Sequence, residues 1–501
     1  MPQPFTDYTS ILCHHAQNHG GKAAIHCDEQ SLAYAVLADN VARFAGLLRS
    51  LGLRPGDRFA IALPDCPEFF FAFLGGLHYG AVPVPLGPQL SPKNYAAIFH
   101  DAQVSALIAH RGSDLAKDWA GQDRPLVDVD GPDFAARLER TSPWPAATPP
   151  ENGVHFLLYS SGTTGEPKGV PHSQWDMMAC ARRYAGEVLG LGPRDVVLSA
   201  SKLHFAFGLG NSLIFPLYYG STVLLNPGGS GPAELFALLH LIADQRPTLF
   251  FAVPSVYALL LRSLEGAAGL SSLRFCVSAG EALPASLYQQ WRQVTGIEIL
   301  DGIGSTEALH IYISNRPGAS APGVTGQPVP GYETRIIGED GEVSNDGEAG
   351  RLRIRGESLS PAYWNRPALT AAGMRDDGWF DTGDMFIRQD GAYRYQGRKD
   401  DLFKVGGNWV APLAVEEVLR EHPAVLECAV TAGLFEGLSA PVAHVVPAAG
   451  VMVETGLVPE LRAFMQLRLP PHMCPVRYLF RQNLPRTQTG KINRSQLDHQ
   501  E

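Results

Sequence analysis

The chain has 501 residues, too many for one hydrophobic core, so two or more domains are expected. Its composition is that of a soluble globular protein, and a formal net charge of −10 argues against bulk nucleic-acid or anionic-membrane binding. Seven cysteines without CxxC spacing read as reduced thiols of a cytoplasmic protein, no apolar signal core lies in the first ten residues, and the most apolar stretch, 207–225, is broken by Gly208, Gly210, Pro216 and Gly220.

Val36, Leu37, Val41, Phe44, Leu48 and Leu51 recur at helical spacing over 34–51. A strand at 58–63, a helix at 68–78 and a strand at 81–86 follow, and the alternation continues through 104–109. Helical crossovers of this kind join parallel strands, so the fold class is α/β. The Pro-, Asp- and Ala-rich stretch 125–152 reads as a surface connection.

An apolar run at 154–158 then leads into Tyr159-Ser-Ser-Gly-Thr-Thr-Gly-Glu-Pro-Lys-Gly-Val170, after which Pro171 and Ser173 open an amphipathic helical pattern. Gly162, Gly165 and Gly169 let backbone N–H groups approach an anion closely. Ser160, Ser161, Thr163, Thr164 and Lys168 add donors and charge, so the loop suits a polyphosphate. Pro167 directly before Lys168 excludes a Walker loop.

Strands are expected again at 196–201, 222–225, 248–253, 273–278 and 298–300, with helices such as 232–245 and 284–294 between them. From Gly331 the pattern changes to short strands at 333–337, 350–354 and 392–396, separated by turn residues, which reads as a β-rich subdomain. The charged stretch 397–401 is a domain boundary. Beyond it a small α+β domain has helices at 413–420 and 457–469 and strands at 425–432 and 442–446.

Four further motifs carry candidate chemistry. Asp301-Gly-Ile-Gly-Ser-Thr-Glu307 follows a strand and can offer Thr306 to phosphate oxygens and Glu307 to Mg²⁺; standing alone it reads equally as a capping turn. In Asp381-Thr-Gly-Asp384 a strand-end aspartate, Asp384, can accept hydrogen bonds from ribose hydroxyls, or close an Asx turn. Arg398 is within reach of ribose or phosphate, or is a solvated linker charge. In Lys404-Val-Gly-Gly-Asn-Trp-Val410, Gly406 and Gly407 mark a close approach or a bulge. Pro485-Arg-Thr-Gln-Thr-Gly-Lys491 ends the series.

In this order, over nearly the whole chain, these five motifs resemble the signatures of the adenylate-forming superfamily, which includes acyl-CoA ligases, luciferases and peptide-synthetase adenylation domains. Within it, Ser278-Ala-Gly-Glu-Ala-Leu-Pro284 and the segments 202–216 and 302–317 are similar to benzoate–CoA ligases and related aryl-acid ligases. Ile303, where the broader superfamily carries an aromatic residue, is a departure shared with that group. Phe207 and His204 stand where many benzoate ligases carry other aromatic residues, so the ring substituent stays open.

The resemblance implies a large N-terminal domain (1–397, with the β-rich subdomain at 330–397), a hinge at 398–401 centred on Asp400, and a mobile C-terminal lid (402–501). It implies attack of an aryl carboxylate on the α-phosphate of ATP, then transfer of the acyl group to coenzyme A. In this likeness Ser160, Ser161, Gly162, Thr163, Thr164, Gly165 and Lys168 serve the phosphates. Gly280, Glu281, Asp301, Gly302, Ile303, Asp384 and Arg398 serve the rest of the nucleotide. Thr306 and Glu307 serve phosphate and Mg²⁺, and Lys491 bridges carboxylate and α-phosphate.

Ala206, Phe207, Gly208, Phe251, Ser278, Ala279, Gly302, Ile303, Leu309, His310 and Ile311 form the implied ring pocket, where His310 either borders the ring or packs behind it. His204, Gly406 and Gly407 border the coenzyme A path, or His204 is a packed histidine without special role. A separate carrier protein in place of coenzyme A, a catalytically silent binding protein, and a monomer or a homodimer all remain open.

Overall fold

The computed structural model describes residues 5–119, 124–147, 153–161, 166–228, 232–264, 269–374, 377–435, 437–448, 450–453, 456–486 and 492–497. The alternation read from the sequence builds two sheets. One runs Val82–Pro85, Arg58–Ala62, Ala106–Ala109, Leu126–Asp128, all parallel. The other holds five parallel strands in the order Ile299–Gly304, Phe275–Ser278, Leu249–Ala252, Val196–Ser199, Thr222–Leu225, with Ala23–Cys27 parallel at one side and short antiparallel strands at both ends.

These strands read as short continuous apolar runs because both faces are covered. Val197 and Phe251 point into the main core, whereas their neighbours Leu198 and Phe250 pack with Tyr257, Leu260 and Trp291 from the helices Pro254–Ser263 and Ala285–Thr295. The helix Pro67–Tyr79 is apolar all round and buried from Phe69 to Tyr79, as such a helix must be. Its side chains join those of Tyr34–Ser50 and of both sheets in one core. Burying Phe69, Phe70 and Phe73 alone contributes about 1.5–3 kcal/mol each.

Three expectations need correction. The stretch 125–152 is not only a connection: it holds the strand Leu126–Asp128 and the helix Gly131–Arg140. The nucleotide-type loop does not run from strand to helix. Phe156–Ser161 pairs antiparallel with Pro167–His172, so the loop joins two arms of a hairpin. The helix Gln174–Cys180 begins only after Ser173, which caps it reciprocally with Asp176. Prolines at 167 and 171 are tolerated because this ribbon has only two strands, so the second arm needs no N–H donors for a further ladder on its outer side. Finally, Asp384 is not at a strand end: it lies inside Phe380–Gln389, where the register slips beside Gly383.

The β-rich part is a four-stranded antiparallel sheet of Tyr332–Ile337, Ala349–Gly356, Phe380–Gln389 and Ala392–Arg398. Its core residues Ile336, Leu352 and Phe386 pack with Tyr312 and Ile313 of the large sheet's edge. The C-terminal part has a separate core, formed by Pro412–Arg420 and Leu457–Gln466 against the strands Val425–Phe435, Leu438–Pro447 and Arg477–Phe480. Among the described residues no helix is long and apolar enough to cross a membrane.

Candidate active site

The hairpin register sets Ser160 opposite Lys168 and Ser161 opposite Pro167, at the base of the glycine-rich loop. Gly162, Thr163, Thr164 and Gly165 lie outside the described residues. Lys168 Nζ sits 5.7 Å from the centre of the Tyr363 ring. His172, on the second arm, spans two partners. Its Nε2 donates to the Thr306 carbonyl at 2.8 Å, and Nδ1 lies 2.9 Å from the Asp176 carboxylate. The hairpin is thereby joined to the turn that bears Thr306 and Glu307.

That turn follows the strand Ile299–Gly304. The Glu307 carboxylate accepts a hydrogen bond from Tyr363 Oη at 2.7 Å, and its carbonyl accepts one from Ser360 N–H at 2.8 Å. Ser278 ends its strand, and its register partner Asp301 ends the parallel-paired part of the next one, the place where open α/β sheets bind ligands. Ser278 Oγ and Asp301 Oδ1 are both buried without a protein hydrogen-bond partner. Burial holds the Asp301 carboxyl well above the usual carboxylate range. Gly280 and Glu281 follow directly after the Phe275–Ser278 strand, Gly280 at φ +89°.

Asp384 is buried and pairs across the sheet with Arg398, whose Nε lies 3.1 Å from its carboxylate. Arg398 Nη1 donates to the Thr382 carbonyl at 2.9 Å. The Asp384 charge raises the guanidinium pKa, with Glu307 adding to the same field. Two pairs of charges thus meet here, Lys168 and Glu307 on either side of Tyr363, and Arg398 with Asp384.

The implied ring pocket is brought together in part. Phe251, Ala279, Leu309 and Ile311 belong to the main core, and the half-buried Ala206 and Phe207 pack on it. Gly302 abuts Ile311, and Ile303 turns towards the core of the β-rich part. Gly208 lies against the Lys202 carbonyl. His310 is buried among rings: Phe215 at 4.5 Å, Tyr184 at 5.3 Å and Phe207 at 5.4 Å between centroids. A Cβ at residue 210 would fall 2.2 Å from its ring, so only glycine fits there. His310 Nε2 lies 3.1 Å from Asn211 Oδ1, and burial pushes the imidazole pKa down to about 3. The ring is neutral at physiological pH. His204 lies against Phe205 and Gly87, also held neutral by burial and the nearby Lys202, at about 4.

Lys491 lies outside the described residues. Lys399–Asp401 is a single 3-10 turn containing Asp400. Gly406 and Gly407 are not a bulge, and no other described segment approaches them closely. They are the two loop residues of a hairpin between Phe403–Val405 and Asn408–Val410, at φ +55° and +85°. Such two-residue turns demand positive φ, which explains both glycines. A Cβ on either would meet nothing within 4 Å. The hairpin rests on the β-rich part, with Trp409 Nε1 donating to Glu339 at 2.6 Å.

Sequence reasoning missed His172, Asn211 and Tyr363. Their signals were weak: a single histidine in a proline-flanked strand, an amide in an apolar run, and a tyrosine in an irregular segment.

The profile of the AMP-binding enzyme family matches residues 12–364, and that of the AMP-binding enzyme C-terminal domain matches 414–491. The benzoate–CoA ligase of Thauera aromatica is 40% identical over 491 residues, covering 95% of this chain and 92% of the relative. A crystal structure of a benzoate CoA ligase from Burkholderia xenovorans LB400 superposes with a TM-score of 0.90 at 37% identity, covering 98% of this chain and 99% of the other. An anthranilate CoA ligase in complex with anthranoyl-AMP gives 0.91 at 34% identity, covering 98% and 96%.

Proposed function

The chain belongs to the AMP-binding enzyme family and is an AMP-forming aryl-acid–CoA ligase; on that premise we propose that its acid is benzoate or a substituted benzoate, such as 2-aminobenzoate or a hydroxybenzoate. The observation that carries this reading is the aromatic wall of Phe207, Phe251 and the neutral His310 beside the Thr306–Glu307 turn. It suits a flat ring and gives a short acid no apolar contact area. The half-buried Phe207 is the wall's accessible face.

In the first step a carboxylate oxygen attacks the α-phosphorus and the α–β phosphoanhydride bond breaks, giving acyl-AMP and pyrophosphate. In the second, a thiol attacks the acyl carbon and AMP leaves with the bonding pair. No protein nucleophile is needed, because both attacking groups are substrates held in position. Ser160 and Lys168, with the loop between them, take the phosphates that leave. Asp384, held by Arg398, takes the ribose hydroxyls, while Gly280, Glu281, Asp301, Gly302 and Ile303 border the base. Lys491 offsets the charge that builds as two anions meet.

Among the described residues no cluster of three or more His, Cys, Asp or Glu offers a dedicated metal cage. The single carboxylate of Glu307, held by Tyr363 Oη at 2.7 Å, fits Mg²⁺, which binds through one or two carboxylates together with substrate phosphates and water. Glu307 would hold it, and the ion would neutralise phosphate charge.

The segment 398–401 is the hinge, with Asp400 at its centre, between the domain 1–397 and the lid 402–501. In the second step the Gly406–Gly407 turn moves to the coenzyme A path beside His204.

Pyrophosphate release over a panel of acids tests the acid class. Burying an aryl ring contributes a few kcal/mol at roughly 25 cal/mol per Å². Benzoates are therefore expected to exceed acetate and palmitate in catalytic efficiency by at least about tenfold. Equal efficiency with palmitate and benzoate contradicts the proposal.

His310→Ala separates ring contact from packing. If His310 borders the ring, the ranking of substituted benzoates changes by about tenfold or more, as expected for a reshaped apolar pocket, with ATP binding intact. A uniform loss over all acids, with weaker ATP binding, assigns it to packing instead.

A further inference from the structure

Three segments distant in sequence meet at the base of the nucleotide hairpin. The helix Pro92–Ala102 carries Asp101 in its last turn, where a carboxylate opposes the helix dipole. The surroundings compensate. Its carboxylate accepts from Tyr159 Oη at 2.7 Å and Arg366 Nη1 at 3.0 Å, and its carbonyl accepts from Trp364 Nε1 at 3.2 Å and Asn365 Nδ2 at 2.9 Å. Trp364 N–H donates to the Gly169 carbonyl at 2.8 Å. Tyr159 and Gly169 face each other across the hairpin. Residues 363–366 thus clasp the hairpin below its loop.

The first residue of this clasp reaches the other way. Tyr363 is buried, its N–H donates to Thr370 Oγ1 at 3.0 Å, and its hydroxyl donates to Glu307 at 2.7 Å, while Lys168 Nζ lies over its ring. A glutamate on a turn otherwise has several rotamers to sample, and one strong donor fixes its carboxylate.

We propose that Tyr363 is a positioning residue of the adenylation step: the clasp fixes its ring against the hairpin, and its hydroxyl fixes Glu307 relative to Lys168. This rests on the reading of Glu307 as the carboxylate that serves phosphate and Mg²⁺. The thioester step, which no longer involves the leaving phosphates, does not need this arrangement.

The test is Tyr363→Phe in the full chain, which keeps the ring over Lys168 and removes only the hydroxyl. Three quantities are measured: pyrophosphate release with benzoate, thioester formation from supplied benzoyl adenylate, and affinity for ATP with Mg²⁺ by calorimetry without acid, hence without turnover. The expected result is a fall of about 10–100-fold in kcat/KM for adenylation, the range set by one hydrogen bond to a charged group, with weaker binding of ATP with Mg²⁺. The thioester step and the KM for benzoate should stay within about twofold. Asp101→Asn, which loosens the clasp, should give the same pattern.

Glu307→Gln is measured in parallel, and Tyr363→Phe added to it should cost little more, since the two act through one contact. Unchanged adenylation in Tyr363→Phe, or an equal fall in both steps, overturns the proposal. If Glu307→Gln impairs adenylation while Tyr363→Phe does not, only the positioning role fails. If Glu307→Gln leaves adenylation and ATP affinity unchanged, the assignment of Glu307 fails with it.

Discussion

Lys491→Ala is expected to slow adenylate formation by about 10²–10³-fold, the cost of removing one preorganised charge from a developing transition state. Conversion of a supplied acyl adenylate to the thioester should stay within about twofold of the parent. The asymmetry follows from the proposed exchange of the lid between two arrangements, with Lys491 serving the first. The reverse pattern is expected for Gly407→Leu. Here the turn glycines stand clear of neighbours, so a leucine side chain has room and adenylation should survive. The positive φ adds strain of about 1–2 kcal/mol, not enough to unfold a domain. In the second arrangement the side chain would occupy space that the thiol arm needs. Asp400→Pro, which fixes one hinge φ, should slow the thioester step more than adenylation. Measuring the half-reactions separately decides the matter. Equal loss of both steps in Lys491→Ala and Gly407→Leu contradicts the alternating lid.

The second large effect concerns stability. Glu416 is fully buried in the C-terminal part, and its carboxylate accepts from Arg494 Nη2 at 2.7 Å, Arg420 Nη2 at 3.0 Å and Val430 N–H at 2.8 Å. Arg494 also approaches Asp401 of the 3-10 turn at 3.7 Å. Glu416→Ala leaves two guanidinium groups facing a cavity without their shared anion. Breaking such a buried pair costs about 3–5 kcal/mol, because desolvated charge is left uncompensated. A loss of that size for the C-terminal transition in urea is the expected outcome. Glu416→Gln, which still accepts from Val430, should lose less. A change below about 1 kcal/mol for Glu416→Ala would show that water or rearrangement already satisfies both arginines.

The α/β alternation was legible because its elements are made by apolar burial. The all-apolar helix Pro67–Tyr79 and the short strands between covered faces announce themselves without tertiary knowledge. In two of the misread elements, polar residues or prolines interrupt the pattern. In Phe380–Gln389 the inward positions are Phe380, Thr382, Asp384 and Phe386, so the alternation is present but half its buried side chains are polar. A buried aspartate can sit there because Arg398 faces it across the ladder, which no local window reveals. The second hairpin arm carries two prolines and a lysine, a composition that argues against a strand until its partner arm is known. Residues with direct chemical signatures, such as Glu307 and Asp384, were singled out from motifs. Tyr363 and His172, which touch Glu307 and the Thr306 carbonyl, depend on contacts across more than fifty positions and carried no local signal.

Ligation to coenzyme A is tested by product analysis of one reaction containing the full chain, benzoate, ATP, Mg²⁺ and coenzyme A. AMP, pyrophosphate and benzoyl-CoA are expected in equal amounts, with pyrophosphate release stimulated by the thiol. Pyrophosphate and enzyme-held benzoyl-AMP without any thioester, across the whole panel of benzoates, would contradict a coenzyme A ligase and point to a carrier protein as acceptor.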